Sequence, residues 1–136
     1  MLTDEERTTI VRYRIERALD TLNEVDYLVQ MHFYNNAANR LYYACYYAAS
    51  ALLIANQVST KSHDGVRQMF SSKFVKTGVF PSYFGRIYSE LFSARQTGDY
   101  EDLFNHSSVT VSMLIPKATE FVDSVKKEVE MWLINH

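Results

Sequence analysis

Apolar residues recur every three or four positions near the start of the chain. The positions are Val11, Ile15, Ala18, Leu22, Val25 and Val29. This spacing is typical of a helix packed lengthwise against its neighbours. Thr3 and Glu6 have the spacing of a capping box, which satisfies free N–H groups at a helix start. The pattern therefore predicts a first helix over about residues 4–31, followed by a turn around residues 34–36.

A second helix is predicted over about residues 36–56, and it is apolar or aromatic nearly all round. One face carries Leu41, Ala44, Ala48, Leu52 and Ala55, and the other side carries Asn39, Tyr43, Tyr46 and Ser50. Such a helix is buried on most sides, here by its own bundle and by a second subunit. Since tyrosine buries a large area at low entropic cost, the predicted packing and dimer residues are Asn39, Tyr42, Tyr43, Tyr46 and Tyr47.

The rest of the chain predicts shorter helices over about residues 63–75 and 83–94 and a last helix from about Val111 to Trp132. Residues 76–78 stop the first of these, and Gly98 breaks the chain, so residues 95–103 are a candidate functional loop. At Pro116 the last helix either bends or gives way to a new helix. No segment alternates with period two for long. The sequence predicts an all-α, antiparallel up-and-down bundle of four or five helices, as one domain over residues 1–136.

Composition agrees with a helical globular domain: 47% of residues are hydrophobic, 22% are charged, and only four Gly and two Pro are present. The single cysteine, Cys45, excludes an internal disulfide and a cysteine-cluster zinc site. The first 17 residues have no apolar core, and the apolar run 41–55 is too short and polar to cross a bilayer. We therefore expect a cytoplasmic protein with no membrane segment.

Charge is unevenly distributed around a net value of −2. Residues 61–95 contain only two acidic side chains against six basic ones. The basic residues are Lys61, Arg67, Lys73, Lys76, Arg86 and Arg95. A basic middle within an acidic remainder indicates either a phosphate-facing surface or an ordinary solvated helix face.

Familiar catalytic motifs are absent, including a Gly-rich phosphate loop, HExxH and GxSxG. The four histidines lie far apart without carboxylates at ligand spacing, so neither a metal nor a cofactor is predicted. Arg95, Asp99 and Tyr100 form the most suggestive cluster. They either brace one another, or Arg95 holds a phosphate to which Tyr100 donates a hydrogen bond.

Several ordered segments resemble HEPN domains (higher eukaryotes and prokaryotes nucleotide-binding), in particular their small prokaryotic branch. Residues 39–53, NRLYYACYYAASALL, resemble the second-helix signature. Three further features resemble the middle section of that branch: KSHDG at 61–65, Phe70, and FVKTG at 74–78. RQTGDY at 95–100 resembles its R-x-x-x-D-Y element. The resemblance spans roughly residues 15–133.

The resemblance implies a helical bundle, usually dimeric, that binds nucleotides or nucleic acid. Many members are toxins that cleave RNA without a metal, and many are encoded beside a minimal nucleotidyltransferase. Their catalytic motif is an Arg followed by a His after four to six residues, a spacing that no Arg of this chain has. The first such position after Arg95 is Tyr100, a poor general base at neutral pH because an unperturbed tyrosine has a pKa near 10. Glu101 and Asp102 place negative charge at the other two positions where the family's His could stand.

Three functional hypotheses follow. The first is a module that binds a nucleotide or an RNA phosphate through Arg95, Asp99 and Tyr100, with Lys61 and His63 completing the pocket. It works as a homodimer with a nucleotidyltransferase-type protein partner. The second is a metal-independent ribonuclease that uses Arg95 with Tyr100 or His63. The third is a purely structural protein-interaction bundle, in which His63 caps a helix or packs against tyrosines.

Overall fold

A computed structural model describes residues 1–98 and 105–136 of the chain. Within these ranges every regular element is helical. The elements are α1 (Asp4–Asn23), α2 (Val25–Gln30), α3 (Tyr34–Ala55), α4 (His63–Phe70), a π-helix (Ser71–Val75), α5 (Tyr83–Gly98) and α6 (Ser108–Ile134). The predicted all-α helical bundle is confirmed.

The helix α3 is the centre of the bundle and packs against α1, α5 and α6. Its predicted core face is buried, with every member at most 3% exposed: Leu41, Ala44, Ala48, Leu52 and Ala55. Alanine side chains let neighbouring helices approach closely, and tight packing leaves little room for larger groups. Cys45 is a buried free thiol on the same helix, and burial raises its pKa.

An aromatic cluster holds α4 and α5 in place beside α3. Phe70 at the end of α4 lies 5.1 Å from Phe121 of α6 and 6.2 Å from Tyr88 of α5, measured between ring centroids. Phe80 stacks on Phe84 at 5.2 Å in the same cluster. Aromatic rings contribute large buried areas, so this cluster fixes the two helices that carry His63 and Arg95.

The predicted first helix is divided, and the predicted turn after it is displaced. The capping box of Thr3 and Glu6 is present as expected. At Glu24 the backbone N–H bonds to Thr21 O, a tighter turn that separates α1 from α2. The chain reverses at residues 31–33 rather than at 34–36, because His32 takes a left-handed conformation and Phe33 N–H donates to Leu28 O.

The other predicted helix stops agree better with the structure. Gln57 has φ 62° and follows the last turn of α3, where Val58 N–H donates to Leu53 O. Gly78 has φ 85° after the π-helix, a conformation that glycine adopts without steric cost. Both stops lie where the polar and glycine-containing stretches predict them.

The predicted functional loop begins too early. The helix α5 continues through Arg95 to Gly98, so residues 95–98 are helical. Gly98 is the last residue of α5 that the structure describes, so the predicted break there stays a prediction. Gly98 is buried against His106, and a Cβ there would lie 3.2 Å from His106 Cδ2, so a glycine at this position allows a close approach. Residues 99–103 of the predicted loop lie outside the described residues.

The last helix is continuous. α6 runs from Ser108 to Ile134 with Pro116 inside it, so no new helix begins at the proline. Pro116 is exposed, which places its ring away from the core. In the described parts of the chain, neither α6 nor any other helix is long and apolar enough to span a membrane.

Candidate functional site

A stripe of polar and aromatic side chains on α3 remains uncovered by the rest of the bundle. Asn39, Tyr43, Tyr46 and Tyr47 are each partly exposed, and we call them the tyrosine stripe. Their spacing of three to four residues places them on one side of the helix, opposite the alanine-rich face. Tyr42 differs, because it is fully buried within its own chain and packs there instead of at the surface.

Arginines from several helices lie against the rings of this stripe. Arg17 of α1 lies 5.1 Å from the Tyr47 ring centroid and donates to its hydroxyl at 3.5 Å, and Arg14 lies 5.9 Å from the same ring. Arg40 lies 5.1 Å from the Tyr43 ring. Each is a cation–π contact, which positions a guanidinium without neutralising it.

Arg95 reaches the stripe from the last turn of α5. Its guanidinium carbon lies 5.1 Å from the Tyr42 ring centroid and 5.8 Å from that of Tyr43, and Nη1 donates to the Tyr43 hydroxyl at 3.4 Å. Phe92, one turn earlier, forms a third wall at 5.7 Å. The guanidinium carbon of Arg67, from α4, lies 5.3 Å from the centroid of the same Phe92 ring. Rings on three sides hold the Arg95 side chain in a defined orientation.

His63 occupies the neighbouring position at the start of α4. Its ring stacks on Tyr46 at 4.5 Å and meets Tyr43 edge-on at 5.5 Å. Its Nδ1 lies 2.8 Å from the Tyr42 hydroxyl. The fold thus brings His63 and Arg95 to the same two tyrosines, although 31 residues separate them in the sequence. We call the tyrosine stripe with His63, Arg14, Arg17, Arg40 and Arg95 the arginine–tyrosine surface.

Burial and nearby charge determine the protonation states of His63 and Tyr42. Desolvation, and then the nearby positive charge of Arg95, lower the pKa of His63 from 6.5. Burial raises the pKa of Tyr42 to about 12, so its hydroxyl keeps the proton at neutral pH. In the tautomer in which Nδ1–H donates to the Tyr42 oxygen, the lone pair of the neutral imidazole lies on Nε2 and is left free. His63 is therefore an uncharged group that can accept a proton.

Carboxylates offset part of the positive charge. Glu24 lies 3.8 Å from Arg40, with its own side chain half exposed. Asp64 pairs with Arg67 and also accepts from Gln68 Nε2 at 2.7 Å. Exposed ion pairs of this kind are weak and give way readily to a stronger anion.

The remaining predicted site residues are Lys61, Asn39, Asp99 and Tyr100. Lys61 is exposed and precedes Ser62, the N-cap of α4, whose hydroxyl accepts from Gly65 N–H at 2.9 Å. Asn39 accepts two hydrogen bonds from Arg40, at 2.7 and 3.2 Å. Asp99 and Tyr100 lie outside the described residues, so the role predicted for them stays a prediction.

Sequence reasoning set aside His106, which the fold brings to the end of α5. His106 is 7% exposed, and its Nε2 lies 2.7 Å from Ala94 O, beside Arg95 in the chain. Its backbone N–H donates to Asn35 Oδ1 at 2.8 Å. Ten residues separate Arg95 from His106, so no spacing rule connects them. The same is true of Arg14, Arg17 and Arg40, whose helical positions alone do not reveal the tyrosines beside them.

Comparisons with known proteins agree on one family. Residues 11–129 match the HEPN domain. A UPF0332 protein of Thermotoga maritima is 37% identical over 125 residues, covering 92% of this chain and 95% of its own length. Two proteins of Methanocaldococcus jannaschii, named "Putative toxin MJ0142" and "Putative toxin MJ0605", are 31% and 33% identical over 113 residues. These alignments cover 83% of this chain and 77% and 84% of the relatives. With a match over most of its length, the chain belongs to the HEPN domain family.

Proposed function

We propose that this protein is a HEPN toxin-like module that binds RNA phosphates on the arginine–tyrosine surface. The observation that carries the proposal is the convergence of Arg14, Arg17, Arg40 and Arg95, from three helices, on the partly exposed tyrosines of α3. Guanidinium groups bind phosphate oxygens in a fork geometry, and the tyrosine rings hold the guanidinium groups in place for it. Two relatives are named as toxins, which fits an RNA-directed role.

The charge distribution supports a local site rather than general coating of nucleic acid. The net charge of the chain is −2, so the positive charge of the arginine–tyrosine surface is offset by acidic residues elsewhere in the chain. A local concentration of arginine attracts an anion to this surface although the chain as a whole is slightly acidic. Asp99, Tyr100 and Lys61 complete the ligand-binding set in this proposal, with Arg95 as its central cation.

The proposal includes two protein partners, both in the cytoplasm. The tyrosine stripe is the proposed contact between two copies of the chain, since its rings are only partly covered by the chain itself. Paired copies would bring their arginines close together, and a bound phosphate would relieve that repulsion. The second proposed partner is a nucleotidyltransferase-family protein, an expectation that rests on the HEPN family alone.

The first test is binding of fluorescently labelled single-stranded RNA, in EDTA, over a range of salt concentrations. We expect Arg95→Ala to weaken binding and to reduce the slope of log K against log salt by about 0.7, the share of one phosphate contact. Arg86→Ala is the matched control, because Arg86 is exposed on the same helix and has no ring contact with the stripe. Equal affinities and slopes for the native and Arg95→Ala proteins would remove Arg95 from the site.

A second candidate function is metal-independent RNA cleavage, and it is favoured by the placement of His63 beside Arg95. A neutral His63 can take the proton of a ribose 2′-hydroxyl while that oxygen attacks the adjacent phosphorus. The bond to the 5′-oxygen breaks, that oxygen takes a proton from water, and a 2′,3′-cyclic phosphate remains. Arg95 would stabilise the negative charge that develops on the phosphate oxygens. This arrangement replaces the usual Arg and His of one segment with residues from two helices.

The same RNA, followed on a denaturing gel in EDTA, separates the two functions. Cleavage that is lost in both Arg95→Ala and His63→Gln, but kept in His136→Gln, would identify a ribonuclease. His136 is an exposed histidine at the end of the chain and serves as the control. Intact RNA that is retained by the native protein would leave the binding function alone.

A further inference from the structure

A polar cavity lies beyond the arginine–tyrosine surface, between the start of α1 and the end of α3. Its volume is about 610 Å³, and the polar side chains at its wall are Arg7, Arg14, Ser50, Gln57, Ser59 and Thr60. No aspartate or glutamate is among its lining residues in the described part of the chain. Two cations with several hydroxyl groups and no carboxylate make a wall that is suited to an anion.

Arg7 is the unusual member of this wall. It is only 8% exposed, and a buried guanidinium needs compensation by an opposite charge and by hydrogen-bond acceptors. Its ion-pair partner, Asp4 at 3.5 Å, is fully exposed to solvent and contributes little. Its Nε is buried and has no acceptor among the residues that the structure describes. Buried donors are nearly always satisfied in proteins, so an additional acceptor is expected here.

The neighbours of Arg7 extend the same chemistry. Arg14 is two helical turns further along α1, on the same side, and it also contacts the Tyr47 ring. Ser50 of α3 is 7% exposed and places a hydroxyl at the cavity wall. Tyr46 lines the cavity and stacks on His63, so it adjoins both the cavity and the arginine–tyrosine surface.

We infer that this cavity is a second phosphate-binding site adjoining the arginine–tyrosine surface, in which Arg7 and Arg14 hold one phosphate group and the surrounding hydroxyls donate further hydrogen bonds to it. The phosphate is either the monoester of a free nucleotide or a diester of an RNA strand that continues past Tyr46. Both sources present the same oxygens to the two arginines. The site does not depend on RNA binding at Arg95.

The test is a titration of the full chain, followed by calorimetry, with three probes: inorganic phosphate, AMP and a short RNA with a 5′-hydroxyl. We expect Arg14→Gln and Arg7→Gln to weaken binding of inorganic phosphate by about tenfold each, the usual loss for one charge-assisted hydrogen bond. Arg12→Gln is the matched control, since Arg12 is exposed on the same helix and does not line the cavity. Arg14 also belongs to the arginine–tyrosine surface, so if Arg7→Gln fails to fold, Ser50→Ala takes its place, because Ser50 lines the cavity and is not part of that surface.

The probes also identify the source of the phosphate. A loss of AMP binding in Arg7→Gln with unchanged RNA binding indicates a nucleotide site, whereas a parallel loss for the RNA indicates a subsite for the strand. Phosphate binding that persists in Arg95→Ala keeps this site distinct from the arginine–tyrosine surface, whichever way the RNA experiment falls. Phosphate, AMP and RNA affinities that are all unchanged in Arg7→Gln and Arg14→Gln would overturn the inference.

Discussion

His63 combines an uncharged imidazole, a phenol partner and a nearby guanidinium. The Tyr42 hydroxyl lies 2.8 Å from Nδ1 and holds the ring against Tyr46. The positive charge of Arg95 and partial burial both oppose protonation of the ring. A negative ligand beside this ring, or unfolding of the protein, would raise its pKa, so its titration reports on both events.

Protonation of His63 makes stability depend on pH. In the unfolded chain the imidazole takes up a proton near pH 6.5, whereas in the folded chain its pKa is lower. The unfolded state therefore binds more protons in that window, and the free energy of unfolding decreases as the pH falls below about 6.5. We expect the midpoint of thermal unfolding to fall less between about pH 7 and 5 in His63→Gln than in the native protein.

The control for this experiment is His136→Gln, which should keep the native pH profile. His136 is exposed just after the end of α6, where its Nδ1 lies 2.7 Å from Trp132 O and its ring stacks on the Trp132 ring. Parallel pH profiles for the native and His63→Gln proteins would contradict the shifted pKa.

At the scale of elements, α3 has two different surfaces. One side carries small residues against α1 and α6, where Ala44 and Ala48 are 0% exposed. The other side carries the tyrosine stripe, which the arginines of α1 and α5 reach from either side. The close approach on the first side determines how near those arginines come to the tyrosines on the second.

Enlarging a buried alanine of α3 should destabilise the bundle. Ala48→Leu inserts three carbon atoms into a site that is 0% exposed, which forces neighbouring side chains out of place. We expect a loss of about 1–3 kcal/mol in the free energy of unfolding, measured by urea denaturation. Ser112→Leu, on the exposed side of α6, should change it by less than about 0.5 kcal/mol. Native stability in Ala48→Leu would show that the helices are not closely packed there.

At the scale of the whole molecule, the positions of charge and of exposed tyrosine coincide. The chain carries a net charge of −2, whereas the arginine–tyrosine surface concentrates four arginines, so nucleic acid is attracted to that surface in preference to the chain as a whole. The same surface supplies the apolar area for the proposed contact between two copies. Added salt should therefore weaken RNA binding, because it screens the attraction between arginine and phosphate. The same salt should strengthen self-association, because it screens the repulsion between the arginines of the two copies.

Removing one ring of the stripe should weaken the proposed dimer. We expect Tyr47→Ala to raise the dimer dissociation constant by about tenfold or more, measured by sedimentation equilibrium, since tyrosines at interface centres contribute strongly to binding. Tyr83→Ala is the control, because Tyr83 is an exposed tyrosine at the start of α5 that contacts Phe84. A native protein that is monomeric at every concentration would remove the stripe from any contact between copies.

The sequence by itself determined the helical class, the buried face of α3, the capping box and the stops at Gln57 and Gly78. These features depend on residues within a few positions of one another, so periodicity and local backbone preference are enough to predict them. The same reasoning placed the turn before α3 too late, because His32 in a left-handed conformation has no strong signal in its residue type. It also ended α5 before Arg95, whereas the described helix continues to Gly98, because the polar residues 95–97 add no apolar position to the helical pattern.

Only the tertiary structure decided which side chains meet. His63 and Arg95 lie on different helices, and Arg14 and Arg17 reach Tyr47 across the bundle from about 30 positions earlier in the chain. Tyr42 was grouped with the surface tyrosines, yet the packing of α4 and α5 on α3 buries it completely. Such contacts depend on the distance and rotation between helices, which are set by the summed packing of the whole core and not by any local pattern.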